Sequence, residues 1–331
     1  MPAIDPVTAS PRPYWSVMVP SYNAPDLLAR TLESVLAQDP GEQVMQIEVV
    51  DDASAGDDIA RVVDRVGGAR VGLHVQPRNV GASANFTTCI RRSTGWWVHI
   101  LHSDDVVLPG FYRRYGAQIE AFPDAVVVGG RAIDVDHDER RLGLTPQVPA
   151  ADGSLRDAGF TIVSRNPLRF VSTVVARRAY EAVGGFHPDL FHACDWEMWV
   201  RLAVTGTVAW VDEPLGLYRN HDASDSRRLH DSTAYLDDCL RAVQVMAGHL
   251  PPERRVRAVR AGNRNVAGYA LHVGRVLVDA GAYRLALANV AQAVRIDPSA
   301  ATLRRAAVVA RRAVAGRLGA HRAATPSAPR C

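Results

Sequence analysis

Between residues 15 and 101 four short apolar runs alternate with three helical patterns, and this alternation limits the fold more than any other feature. Trp15-Ser16-Val17-Met18-Val19-Pro20 reads as a first buried strand. Leu27, Leu28, Thr31, Leu32, Val35 and Leu36 then recur at helical spacing behind Pro25 and Asp26, and Gln38-Asp39-Pro40-Gly41 ends that helix. Residues 47–50, 71–75 and 96–101 read as further strands, with helices at 59–66 and 82–93 between them. Strands separated by helices predict an α/β fold built on a doubly wound sheet with flanking helices. In such sheets ligands bind beyond the carboxyl ends of the strands.

Three polar clusters follow strand ends in this plan: Ser21-Tyr22-Asn23, Asp51-Asp52 and Asp104-Asp105. The last lies in ILHSDDVVL, residues 100–108. Two adjacent carboxylates on a sheet rim suit a divalent cation, and a cation there can hold a phosphate. Seen alone, the pair reads equally well as a solvated turn closed by Pro109-Gly110. The chain has neither GxGxxG nor GxxxxGK[ST], so the dinucleotide and P-loop versions of the plan lack support.

The 331 residues, 47% of them hydrophobic, suffice for about two domains. Net charge is +3, unevenly spread. Residues 251–331 hold fifteen arginines against Glu253, Asp279 and Asp297; the first 250 residues hold 23 basic and 32 acidic groups. Every one of the 38 basic residues is arginine. The four cysteines form no CxxC pair, which argues against a zinc cluster or disulfide framework and for a reducing cytoplasm. MPAIDPVTASPRPYW lacks the apolar core of a secretory leader, and no run approaches the ~20 apolar residues of a membrane span.

VMVPSYN, VVDDAS, NVGASAN and HSDD, in that order, resemble the successive signatures of family 2 glycosyltransferases of the GT-A fold. The likeness runs over roughly residues 15–225. It implies a GT-A doubly wound mixed sheet flanked by helices at 15–228, after a loose lead-in at 1–14, with a helical C-terminal region at 229–331. It also places Pro20, Tyr22 and Asn23 on the nucleotide, Tyr22 against the base. Asp52 would accept a hydrogen bond from a uracil N–H, which favours a UDP-sugar. Asp51 is expected to cap a helix or sit in a solvated loop. Asn79 and Gly81 match the family's NxG at the donor, with Asn85 orienting the site.

Asp104 would then reach the ribose or the metal, and Asp105 the metal itself, with Mn²⁺ or Mg²⁺ as cofactor. Many family members carry Asp-x-Asp-Asp here; this chain has His102-Ser103-Asp104-Asp105, one carboxylate fewer. Gly185, in Val183-Gly184-Gly185-Phe186, would let the backbone approach the donor sugar or diphosphate. Asp195, in Cys194-Asp195-Trp196-Glu197, takes the position of the catalytic base, with Glu197 facing away. A helix N-cap would also favour Asp there. Leu217-Tyr218-Arg219-Asn220-His221 resembles the segment whose histidine completes the metal or diphosphate site, which is His221; Arg219 pairs with phosphate or braces the loop. Asp134-Val135-Asp136-His137-Asp138-Glu139 reads as a solvated hairpin, and 151–170 as a variable stretch over the acceptor pocket.

Beyond about residue 225 the pattern is helical. GAYRLALANVAQAVRIDPS faintly resembles one helix of a tetratricopeptide repeat without a second copy, so a helical hairpin is expected. In the last helix Leu303, Ala307, Val314 and Leu318 share a face, and Arg304, Arg305, Arg311 and Arg312 another. Such a helix either lies on an anionic membrane or presents a solvated basic face. No motif or aromatic platform supports nucleic-acid binding.

The resemblance thus implies an inverting, metal-dependent transferase that takes a sugar from a nucleotide-diphosphate donor to a glycan or lipid-linked acceptor. It would work in cell-surface polysaccharide or glycolipid assembly, in the cytoplasm or on the inner membrane face. The competing classes are a nucleotide-sugar-binding module without catalysis and a nucleotidyltransferase. The second would need a glycine- and basic-rich phosphate loop after the first strand, and SYNAPD is not one.

Overall fold

The computed structural model describes residues 1–148, 150, 152–220 and 232–323. The chain divides into two compact units, Met1–Ile162 with Asn166–His221, and Val163–Arg165 with Asp222–Cys331. In chain order the first part runs β1 (Trp15–Ser21), α1 (Pro25–Leu36), β2 (Met45–Asp51), α2 (Asp58–Val62), β3 (Gly72–Val75), α3 (Ala82–Arg92), β4 (Trp97–Ile100), β5 (Val106–Val107) and α4 (Phe111–Ala121). It continues with β6 (Ala125–Val135), β7 (Arg141–Leu144), α5 (Ala158–Ser164), β8 (Thr173–Ala176), α6 (Arg177–Val183), α7 (Cys194–Ala203) and β9 (Thr207–Arg219).

The strands form one mixed sheet in the order β3-β2-β1-β4-β8-β6-β9-β5, with β7 on β6. β3, β2, β1 and β4 are parallel neighbours, as the strand–helix alternation predicts. β8 then runs antiparallel to β4 and to β6. All seven residues of β1 are buried, which explains its unbroken apolar reading: it is covered on both faces. Val17, Val19, Leu28, Leu32, Val35, Ile47 and Val49 share one core cluster. Each such side chain contributes about 1.5–3 kcal/mol when fully buried. The periodicity of α1 is therefore the signature of its packing against the sheet.

The lead-in before β1 is packed, not loose. Ile4 is buried. The Pro2 carbonyl accepts the Gly185 N–H at 2.8 Å, and the Asp5 carbonyl accepts from Arg177 at 3.1 Å. Arg12 lies 4.0 Å from the Trp96 ring centre and donates to the Thr94 carbonyl at 2.8 Å. A proline-rich composition suggested looseness, but polar groups and one isoleucine here find partners far along the chain. The second helix is also shorter than expected: it is α-helical to Val62 and π-wound over Val63–Gly67.

The second unit holds α8 (Ala234–His249), α9 (Pro252–Asp279), α10 (Tyr283–Ile296) and α11 (Ala300–Ala323). Buried Tyr235 donates to Asn289 Oδ1 at 2.6 Å, so this core carries a satisfied polar pair. α11 buries Thr302, Ala306, Val309 and Ala313, and leaves Leu303, Val308, Val314 and Leu318 exposed. Among the described residues no helix is long and apolar enough to cross a membrane.

Candidate active site

Parallel register brings the three polar clusters to one rim. Ser21 pairs with Asp51 at the ends of β1 and β2, and the Leu101 N–H donates to the Met18 carbonyl as β4 ends. Pro20 is buried in β1 opposite Val50. Tyr22 beyond it is 45% exposed, so its ring is open to a ligand. Asn23 adopts φ +50°; its N–H donates to Ser54 Oγ at 2.7 Å and its Oδ1 accepts from Ala55 at 2.9 Å. These bonds tie the turn after β1 to the loop after β2.

Asp51 is neither a helix cap nor solvated. It is buried and accepts the Ser54 N–H and hydroxyl at 2.9 and 2.6 Å, because the parallel neighbours cover it. Asp52 is also buried and accepts the Val80 and Gly81 N–H groups at 2.8 and 2.9 Å. Burial raises its pKa; those two N–H groups oppose the rise and the Asp51 charge adds to it. Each oxygen keeps a second lone pair for a further donor. Gly81 has φ +84° with open space where a Cβ would be, so its glycine serves the backbone angle. Asn79 beside it is exposed. Asn85 is a brace: it donates to the Val50 carbonyl at 2.9 Å and accepts from Gln76 at 3.1 Å.

His102, Asp104 and Asp105 each offer one ligand atom, all within 4.8 Å of one another. Asp105 is buried. Its Oδ1 accepts the Arg219 N–H at 3.0 Å, while Oδ2 is buried with no hydrogen-bond partner among the described residues. Burial, and then the neighbouring Asp104 charge, hold the Asp105 carboxyl well above the usual range. A buried carboxylate left in that state is what a divalent cation would stabilise, so the site fits such an ion. The His102 ring stacks on Phe86 with centroids 5.2 Å apart and lies 4.5 Å from Phe170. An acid against those rings would lose hydration, whereas an imidazole can both pack on them and serve as a metal ligand. The donor set is then one nitrogen and carboxylate oxygens, which suits Mn²⁺ as well as Mg²⁺.

Arg219 is the brace of this cluster. It donates from Nε to the Asp104 carbonyl at 2.8 Å, from Nη1 to the His137 carbonyl at 2.6 Å and from Nη2 to Glu139 at 3.0 Å. The charged hairpin between β6 and β7 thus anchors an arginine as well as meeting solvent. His221 lies outside the described residues.

Asp195 sits in the first turn of α7, whose N-cap is Ala193, so it does not cap the helix. It is half-buried; Oδ1 accepts the Trp196 N–H at 2.6 Å and Oδ2 faces Asn166 Nδ2 at 3.4 Å. Burial raises its pKa, against the Trp196 N–H, the Arg169 charge and Asn166. Glu197, fully buried, pairs with Arg201 at 2.9 and 3.0 Å. Arg201 also donates to the carbonyls of Val183 and Gly185. The Gly185 N–H goes to Pro2, and a Cβ there would lie 2.6 Å from Thr87. Gly185 therefore permits close packing of Thr87 and the lead-in, with both its N–H and its carbonyl taken by protein groups. Asn166 and Arg169 carried no sequence signal: they lie in a stretch with neither motif nor periodicity.

The description "Glycosyl transferase family 2" fits a family model over residues 16–165. An uncharacterized protein of Mycobacterium tuberculosis, MT1568, is 28% identical over 232 residues, 66% of this chain and 70% of that protein. The succinoglycan biosynthesis protein ExoO of Rhizobium meliloti is 34% identical over 155 residues, 44% of this chain and 42% of that protein. Among solved structures, S. aureus TarS 1–349 in complex with UDP-GlcNAc superposes with a TM-score of 0.63 at 14% identity, covering 92% of each chain.

Proposed function

We propose, from the glycosyl transferase family 2 model that fits residues 16–165, that the chain is an inverting, metal-dependent glycosyltransferase that uses a UDP-sugar and serves polysaccharide or glycolipid assembly. The observation that carries the metal reading is Asp105, buried beside His102 and Asp104 with Oδ2 lacking a hydrogen-bond partner among the described residues. TarS with UDP-GlcNAc supports the donor class, and ExoO supports the polysaccharide setting.

His102, Asp104 and Asp105 would hold a divalent cation, joined by His221. When bound, it supplies charge neutralisation for the leaving diphosphate. Tyr22 offers its exposed ring to the base, and Asp52 its remaining lone pairs, with Pro20, Asn23, Asn79 and Gly81 shaping that end. Asp195 takes the proton of the acceptor hydroxyl, and its partial burial makes it a stronger base than a solvated carboxylate. The acceptor oxygen bonds to the anomeric carbon from the face opposite the diphosphate. The bond to the diphosphate oxygen breaks with its electron pair, and configuration inverts.

The same reading takes 15–228 as the transferase region and 229–331 as an appended helical region, the junction lying outside the described residues. It sets the enzyme in the cytoplasm, with α11 resting on the inner membrane face. The exposed Leu303, Val314 and Leu318 beside Arg304 and Arg311 support that contact.

A thermal-shift series of nucleotide sugars with and without Mn²⁺ tests the donor and metal. Stabilisation by UDP-sugars only in the presence of metal is expected; equal shifts without metal overturn the metal role. Asp195→Asn is expected to abolish transfer with donor affinity retained, and equal loss of both would make Asp195 structural.

A further inference from the structure

Arg169 stands in the site with no part in the metal, base or nucleotide contacts assigned to its neighbours. It is half-buried, and its guanidinium lies over the Tyr218 ring at 5.2 Å. Its Nε is buried with no acceptor among the described residues. Arg201 and Arg219, by contrast, donate to carboxylates and carbonyls. A buried N–H without an acceptor is costly, and a cation held that way is prepared for an anion that arrives from outside.

Its chain neighbours fix where that anion would be. Three residues earlier, Asn166 faces Asp195 at 3.4 Å. One residue later, Phe170 packs on the His102 ring at 4.5 Å. The segment 166–170 thus runs from the base to the metal-ligand cluster, and Arg169 is its only cation. Burial raises the pKa of Asp105 and of Asp195, and the Arg169 charge opposes that rise at both. The bond that breaks in the transfer must lie between those ends, since the leaving diphosphate is at the metal and the acceptor hydroxyl at the base.

We infer that Arg169 binds a phosphate oxygen of the leaving nucleoside diphosphate through its Nε–H, which has no acceptor among the described residues. The inference rests on the transferase reading. As the bond from the anomeric carbon to the diphosphate oxygen breaks, the electron pair stays on that oxygen, and a planar N–H fork is well shaped to stabilise it. Arg169 also offsets negative charge that the diphosphate would otherwise place near Asp195. The Tyr218 ring, 5.2 Å from the guanidinium, adds a cation–π contact to this placement.

The test is calorimetric binding of UDP and of uridine, with Mn²⁺, to the full chain and to Arg169→Met, Arg169→Gln and Arg169→Lys, each checked for folding by thermal melting. Loss of UDP affinity by about tenfold or more in the Met and Gln variants, with uridine affinity unchanged and Lys intermediate, is the expected result. Unchanged UDP affinity in the folded variants overturns the inference while leaving the transferase reading intact. So does an equal loss for uridine, which would make Arg169 structural. If the unaltered chain binds neither UDP nor GDP, the nucleoside-diphosphate reading fails and the inference with it.

Discussion

Particular arginines of the two units are used in opposite ways. In the first, Arg201 and Arg219 are buried and direct their donors at protein groups: Arg201 at Glu197, Val183 and Gly185, Arg219 at Asp104, His137 and Glu139. In the second, Arg304, Arg305, Arg311 and Arg317 line the exposed side of α11. A buried guanidinium needs its donors satisfied, so it fixes the geometry of whatever it touches. An exposed one is screened within ~8 Å at physiological salt and contributes charge without fixing a position. The same residue type therefore acts as scaffold in one unit and as surface charge in the other.

Arg201→Met should strain this contrast most. It leaves the fully buried Glu197 without its cation, and a loss of about 3–5 kcal/mol in urea unfolding is expected. Pairing it with Glu197→Gln should recover a large part, because the uncompensated charge is gone. No recovery would mean that the carbonyl contacts of Arg201 matter more than the ion pair. Arg219→Met comes next. Its effect should appear in Mn²⁺ affinity, weakened roughly 10–100-fold, since it positions the Asp104–Asp105 turn from outside the ligand set. Unaltered Mn²⁺ affinity in the folded variant would separate Arg219 from the metal site.

Arg70 with Asp39 is the intermediate case, a pair at 2.6 Å that is partly solvated. Burial pushes Asp39 up, but the Arg70 hydrogen bond, the Gly41 N–H and the Arg70 charge outweigh it, so its pKa is lowered. A depressed carboxyl contributes stability at pH above its unfolded value, near 3.9, and loses that contribution as pH falls through the folded value. Asp39→Asn should therefore cost no more than about 1 kcal/mol at neutral pH and flatten the acid limb of the stability profile below about pH 4. A profile identical to the unaltered chain would show that the pair is already broken in solution. Smallest in stability terms is Arg304→Ala with Arg311→Ala. The melting temperature should not move, while sedimentation with anionic phosphatidylserine vesicles falls and becomes insensitive to salt. Equal sedimentation would remove α11 from the membrane.

Local pattern carried the sequence reading a long way in the first unit. The strands β1 to β4, the helices between them and the three rim clusters all follow from apolar period and strand ends, which are short-range signals. What escaped depends on contacts between distant residues. Asp195 and Asn166 are 29 positions apart, and the Gly185 partner is Pro2 at the other end of the unit. Glycine looks the same in sequence whether it admits a ligand or a threonine. Arg169 sits in a stretch without period, so only its neighbours in space reveal it. In α11 the eye goes to Leu303, Val314 and Leu318, yet the helix buries small residues, Ala306 and Ala313 with Val309. Gly274 of α9 packs against Val309, where even a Cβ would make only an ordinary contact at 3.4 Å. Close helix packing selects size over hydrophobicity, and a search for large apolar residues misses it.

The aromatic packing of His102 has a practical use. Phe86 and Phe170, themselves in contact at 5.0 Å, both lie against its imidazole. Ring currents from the two rings should displace the His102 proton resonances, as Phe111 should displace those of His99, so nuclear magnetic resonance could follow His102 with His99 as a shifted reference. Adding diamagnetic Mg²⁺ should shift the His102 signals and paramagnetic Mn²⁺ should erase them, giving a direct occupancy readout that needs neither sugar nor acceptor.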